Sequence, residues 1–228
     1  MILSFQRTYY LLREKLLFKN TSSIKTLINL WASNHFAGNQ LCSNTEFLVV
    51  DTETSSLNPD DGELLSIGWI VIGNNKILLD TAEHHIVRAK ESVGQSATIH
   101  HLRDCDLEEG ISEEELLKML LNAAKNRILV FHHAGLDVGF INKICLKIFK
   151  IPLLLPFLDT IQIEKKKLEH QHNMMGQHSL TLSNCRRRYH LPDYQAHNAL
   201  IDALSTAELL LAQISHKGKS IKLRELKT

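Results

Sequence analysis

Residues Phe47 to Thr54 read FLVVDTET. Four apolar residues run without a break into Asp51 and Glu53. Alternate side chains of a strand leave on the same face, so the two carboxylates would point the same way, roughly 7 Å apart. Two like charges that close repel each other. Either the strand ends in water with both acids solvated, or a divalent cation sits between them, because hard oxygen ligands are what Mg²⁺ or Mn²⁺ takes. The rest of the chain decides between these two accounts.

Outward from this stretch, SLNPDDGE (56–63) reads as a turn and LLSIGWIVI (64–72) as a second strand. GNN (73–75) is a tight turn and KILLD (76–80) a third strand, giving an antiparallel meander. Helical periodicity follows over Ser112 to Ala124, with Ser112 as N-cap and Glu113 to Glu115 in the first turn, where the helix dipole favours acids. RILVFHH (127–133) is a fourth strand, and a helix spans Leu136 to Phe149. Next come the apolar segment IPLLLPFLDT (151–160) with its acidic end, a basic stretch, and a helix over Asn198 to Ile214. Antiparallel strands followed by alternating strands and helices predict an α/β chain with a mixed sheet flanked by helices. Residues 1–44 read as an N-terminal helical extension, with helices at Thr8 to Phe18 and Ile24 to Trp31. Residues 45–215 form the main domain and 216–228 a basic tail.

The chain has 228 residues, 44% hydrophobic and 22% charged, with a net charge of +1. A single soluble domain with an appendage is expected, and any polyanion site must be a local patch. The candidates are Lys165 to Lys167, Arg186 to Arg188 and the tail from His216; the plain alternative for each is a solvated face. Four cysteines without a C-x-x-C spacing signal neither a zinc knuckle nor a disulfide framework. No apolar run reaches the roughly 18 residues of a membrane span, and the expected compartment is the cytoplasm.

Two further acids stand out. At about 100° per residue, Asp137 falls inside the apolar stripe of Phe140, Ile141, Ile144 and Ile148. A carboxylate there is partly desolvated and needs compensation: either it caps its own helix or it ligates a metal. Asp202 lies about 160° from the stripe of Leu200, Ala203, Leu204, Ala207, Leu211 and Ile214. Periodicity therefore makes it a first-turn acid facing away from the core, noticed only because His197 precedes it.

Taken together, DTETSSL (51–57), FHHAGLDVGFIN (131–142), QHSLTLSNCRRRY (177–189) and HNALIDA (197–203) resemble, in order and spacing, the DEDDh 3′→5′ exonuclease superfamily. The likeness is greatest to the epsilon type of bacterial DNA polymerase III. It implies a ribonuclease H-like fold, a five-stranded mixed sheet with helices on both sides. It implies that Asp51, Glu53, Asp137 and Asp202 are metal-binding acids holding two divalent cations, Mg²⁺ or Mn²⁺, and that His197 is the general base. Thr52, Thr54, Leu57 and His132 fall where the family cradles the terminal nucleotide. The implied substrate is the 3′ end of single-stranded DNA or RNA, shortened to nucleoside 5′-monophosphates. A polymerase or other protein docked through the N-terminal helices is the implied partner, and no membrane.

Three positions depart from the family pattern: Ser56 replaces Gly, His133 replaces Asn and Leu136 replaces Phe. The extra length lies before the domain rather than after the last helix, which favours a stand-alone or differently tethered exonuclease over a replicase subunit. An exoribonuclease of the oligoribonuclease or ribonuclease T type shares all five catalytic positions, and a non-catalytic binding module remains a further alternative. The haloacid dehalogenase phosphatase pattern fits less well, because Glu53 stands where it needs Asp and both H-x-A-x-x-D motifs go unexplained.

Overall fold

The computed structural model describes residues 6–10, 27–31, 37–88, 107–170, 180–195, 197–218 and 220–227. Three strands form the meander: β1 (Phe47–Thr54), β2 (Leu64–Gly73) and β3 (Lys76–Ile86). Helix α1 (Glu113–Ala123) leads to β4 (Ile128–Phe131), α2 (Ala134–Phe149), β5 (Phe157–Asp159) and α3 (Thr160–His170). A short α4 (Leu182–Arg187), the long α5 (Ala199–Lys217) and α6 (Leu223–Leu226) complete the chain. The sheet order is β3-β2-β1-β4-β5, with β1 antiparallel to β2, β2 antiparallel to β3, and β1, β4 and β5 mutually parallel. This is the five-stranded mixed sheet of the ribonuclease H-like fold.

Local chemistry sets these elements. Asn74 and Asn75 both take positive φ, 52° and 57°, as a two-residue hairpin turn between right-twisted strands requires. Ser112 caps α1 by accepting a hydrogen bond from the Glu115 amide. Strand β1 runs four residues past FLVV, through Thr54, and β3 continues to Ile86 rather than stopping at Asp80. The whole DTET motif is therefore strand, and its alternation holds to the end.

Each face of the sheet carries a core. Leu48, Val50, Ile67, Trp69 and Phe131 pack with α1 and α2 on one side; Phe47, Val49, Ile70, Ile72 and Val130 pack with α3, α5 and α6 on the other. Asp51 and Glu53 share the parity of Phe47 and Val49 and so point toward α5.

Three expectations change in detail. Helix α3 forms where the sequence showed only a basic stretch, because Ile163 and Leu168 bury a narrow face while Lys165 to Lys167 stay outside it. The described part of the N-terminal extension packs into the main core: Leu27 is 0% exposed, and Trp31 donates from Nε1 to the Leu153 carbonyl at 2.7 Å. Arg7 reaches the carbonyls of Leu154 and Trp31. The expected helix over Thr8 to Phe18 lies largely outside the described residues. The basic tail also buries Ile221, Leu223 and Leu226, and it bridges back through Leu41 and Lys222. Among the described residues, no helix is long and apolar enough to cross a membrane.

If the N-terminal segment is part of the folded unit, Trp31→Ala should lower stability by about 3–5 kcal/mol, the usual cost of truncating a buried aromatic residue. Urea denaturation checks this, and a loss below about 1 kcal/mol would mean the segment is peripheral.

Candidate active site

The site lies at the carboxyl end of β1, where the chain brings acids from three elements together. Asp51 is half-buried and Glu53 is 6% exposed, and both leave β1 toward α5. A register shift follows Glu53, which pairs with Ser66 while Thr54 pairs with Leu64, so Leu65 of β2 is the extra residue of a bulge there. Carboxylate oxygens of Asp51, Glu53 and Asp202 all lie within 4.8 Å of one another. Asp137, 4% exposed in the first turn of α2, is the fourth acid, and its charge raises the proton affinity of both Asp51 and Glu53. Its own Oδ1 accepts a 2.6 Å hydrogen bond from the Thr52 hydroxyl.

Asp202 reaches this cluster because α5 buries a different face from the one its apolar residues trace. Ala199, Ala203, Thr206, Leu210 and Gln213 are buried, whereas Leu200, Leu204 and Leu211 are half-buried. The face is turned by roughly 90° from the expected stripe, which moves Asp202 from the outside to the rim of the contact. Buried polar groups account for the turn: Gln213 donates to the Thr160 carbonyl and to Glu164 Oε2. A missing side chain accounts for the closeness. Gly68 pairs with Asp51 across β1 and β2, and a Cβ placed there would lie 2.3 Å from the Leu200 nitrogen and 2.5 Å from the Ala199 carbonyl carbon. Only glycine lets the first turn of α5 lie on the sheet there. Gly68 went unnoticed in the sequence, where its signal was a glycine inside an otherwise apolar strand.

His197 precedes α5 and is exposed. Its φ is +70°, and its backbone N–H donates to Asp202 Oδ2 at 2.8 Å. Asn198 caps the helix by accepting from the amides of Leu200 and Ile201. At α2, His133 likewise has φ +81°, a conformation in which Asn and His are enriched, so His133 in place of Asn is accommodated. His133 supplies no side-chain cap. Asp159, the acidic end of the 151–160 segment to which the sequence assigned no role, does so from β5, accepting from the amides of His133, Ala134 and Ile161.

The four candidates for the nucleotide cradle divide. Thr52 is bonded to Asp137, and the Thr54 hydroxyl donates to the Ser56 carbonyl. Nε2 of His132 lies 3.0 Å from the Leu180 carbonyl and must donate to it, while Nδ1 lies 2.7 Å from the Thr160 hydroxyl. Burial pushes this imidazole down to about 4, so it is neutral and bridges three chain segments. The polar groups of these three residues are engaged within the protein. Leu57 is 85% exposed on the following turn. That turn is fixed to α2 by Lys143, which donates to the carbonyls of Pro59 and Gly62. Ser56 has no positive φ, so this turn does not require the glycine usual at that position.

The basic runs serve internal contacts. Arg186 is 2% exposed, Arg187 pairs with Asp193, and Arg188 lies 3.6 Å from the buried Glu164. Lys167 stacks over the Tyr189 ring at 4.0 Å. Of the 177–189 motif, residues 177–179 lie outside the described residues.

Electrostatically the site is under-compensated. Desolvation first, and the neighbouring acids second, hold Asp51 well above the usual carboxylate range and push Glu53 up to about 8. Asp137 is pushed up to about 7 by burial, against the opposing hydrogen bond from Thr52, and Asp202 is raised mainly by burial. A purely oxygen donor set in which every member resists ionisation fits a hard divalent cation.

Comparison with known proteins agrees with this geometry. Residues 48–210 match the family model RNase_T, described as an exonuclease. The PolC-type DNA polymerase III of Thermotoga petrophila is 29% identical over 170 residues, covering 74% of this chain but 12% of the polymerase. The epsilon subunit of DNA polymerase III from Buchnera aphidicola is 28% identical over 185 residues, covering 76% of each chain. Among solved structures, cell-death related nuclease 4 superposes with a TM-score of 0.63 at 16% identity over 77% of this chain and 65% of its own. Exonuclease I of E. coli in complex with a dT13 oligonucleotide gives 0.61 at 13% identity over 73% and 40%. The chain thus spans about an eighth (12%) of the PolC-type relatives it matches.

A raised carboxyl favours folding below its unfolded pKa, and that stability is lost as pH rises through the folded value. For Glu53 the window runs from 4.5 to about 8. Glu53→Gln should therefore raise the Tm of the metal-free protein at pH 8, by about 2–4 °C per ~1 kcal/mol gained, and leave it nearly unchanged at pH 4.5. Thermal melts in chelator check this, and a mutant less stable at pH 8 would contradict the crowding.

Proposed function

Because the chain belongs to the RNase_T exonuclease family and carries the DEDDh residue set, we propose that it is a metal-dependent 3′→5′ exonuclease. Its substrate is the 3′ end of single-stranded nucleic acid, DNA in the first place, since the relatives that match it include DNA polymerase III chains. The observation that carries this reading is the convergence of Asp51, Glu53 and Asp202 oxygens within 4.8 Å, beside the buried Asp137. Strand β1 alone supplies two of these acids; the others arrive only through the fold.

In this reading the four carboxylates would hold two divalent cations, Mg²⁺ or Mn²⁺, which would supply Lewis-acid activation of the attacking water and charge stabilisation at the leaving 3′ oxygen. The chain's own groups do the rest. His197 stands exposed beside Asp202, with its backbone fixed by that carboxylate, and its imidazole takes the proton of the attacking water as the oxygen–phosphorus bond forms. The phosphorus–3′ oxygen bond breaks in line and the leaving oxygen takes a proton from solvent, releasing a nucleoside 5′-monophosphate and a strand one nucleotide shorter with a new 3′ hydroxyl. Leu57 offers an apolar surface against the terminal base. Thr52 keeps Asp137 oriented through its 2.6 Å hydrogen bond. Residues 45–215 carry the catalytic groups. A polymerase or other protein is the partner class, docking through the N-terminal helices, where Tyr9 is 56% exposed.

The test is cleavage of 5′-labelled single-stranded DNA and RNA of matched sequence with Mg²⁺, Mn²⁺ or chelator. Wild type should give a ladder shortening from the 3′ end that requires metal, faster on DNA. Asp51→Ala and Asp202→Asn should abolish it while the proteins remain folded, and His197→Ala should lower the rate by about two to four orders of magnitude. Full activity in either acid mutant would refute the site, and faster RNA cleavage would shift the substrate to the ribonuclease branch.

A further inference from the structure

The segment Leu191–Gln195, which leads to His197, belongs to no helix or strand, yet a buried cation holds it. Arg186 in α4 donates from Nη1 to the Ser205 carbonyl at 2.5 Å, and from Nη2 to the Pro192 carbonyl and Glu208 Oε2, both at 2.7 Å. One guanidinium thus joins α4, the irregular segment and α5. The other Glu208 oxygen accepts from the Tyr194 hydroxyl at 3.0 Å, and the Tyr194 ring lies 4.8 Å from the guanidinium carbon.

Stability alone is a poor reason for this arrangement. Buried ion pairs are often replaced by apolar side chains of similar volume without loss. The Arg186 Nε–H is moreover buried with no partner among the described residues, and such a group calls for a reason other than packing. An apolar side chain could fill the space, but it could not bind the Pro192 carbonyl and fix the path of the chain five residues before His197. That path needs fixing because His197 is exposed and has φ +70°. Its surroundings constrain the backbone on the helix side through Asp202, and the clamp constrains it on the other.

We propose that Arg186, Glu208 and Tyr194 form a clamp that positions His197, so that Arg186 is a positioning residue for proton transfer. This inference rests on the reading of His197 as the proton acceptor. It implies that damage to the clamp acts through the position of His197; the Arg186 charge also eases ionisation of Asp202, and Arg186→Lys keeps that charge, so the acid cluster and substrate binding stay intact in that variant.

A double-mutant cycle decides it. Rates on single-stranded DNA at saturating Mg²⁺ are compared for Arg186→Lys and Tyr194→Phe, each alone and combined with His197→Ala. Lysine keeps the charge but cannot reach all three acceptors at once, and Tyr194→Phe alters only a surface hydroxyl, so it carries the test if Arg186→Lys folds poorly. In the wild-type background Arg186→Lys should lower kcat on the order of tenfold to a hundredfold with KM unchanged, and Tyr194→Phe about threefold. In the His197→Ala background both losses should shrink to less than about twofold. Equal losses in the two backgrounds, or no loss from either variant alone, would overturn the clamp. Full activity in His197→Ala would overturn the clamp together with the base assignment, while an inactive Asp51→Ala would still uphold the exonuclease reading.

Discussion

The structure depends on the crowding of four carboxylates in a partly dehydrated corner, an arrangement that costs stability unless positive charge arrives to offset it. Asp51, Glu53, Asp137 and Asp202 are all raised, with burial as the leading cause at each. A fold selected for stability alone would solvate or pair these acids, as it does Asp193 with Arg187. Instead the chain omits a side chain at Gly68, so that the helix carrying Asp202 can lie against β2 at the residue paired with Asp51.

The supports around the cluster share one design. Each helix that delivers an acid begins after a histidine with positive φ, His133 before Asp137 and His197 before Asp202. Strain of this kind persists only where neighbours over-determine it. At His133 the neighbour is Asp159, whose oxygens accept the amides at the start of α2. At His197 the neighbours are Asp202 itself, through the His197 amide, and the Arg186 clamp behind it. Neutral His132 ties the end of β4 to the start of α3 and to Leu180.

How far the sequence revealed this varied with the kind of signal. Apolar alternation around β1 and β2 and the Asn74–Asn75 turn are local, and the meander was legible from them. Asp137 was legible too, because a carboxylate in an apolar stripe contradicts its surroundings. Asp202 was not, since the periodicity of α5 follows leucines while its buried face includes Thr206 and Gln213, and the partners of Gln213 are distant in sequence. Only the order and spacing of the motifs identified it. Arg186 was hidden for a similar reason: within an RRR run it looked like a solvated face, and its burial depends on Glu208 and Pro192. Gly68 and Asp159 act through contacts no local pattern encodes.

The most direct test of the central claim is proton release on metal binding. Calorimetric titration of the wild-type protein with Mn²⁺ or Mg²⁺ near pH 7.5, in buffers of different ionisation enthalpy, counts the protons displaced. Acids raised by burial first and by one another second, Glu53 to about 8 among them, must lose their protons when a cation arrives, so binding should expel on the order of one proton or more, and fewer as pH rises past 9. Binding without proton release, or no binding at all, would contradict the account.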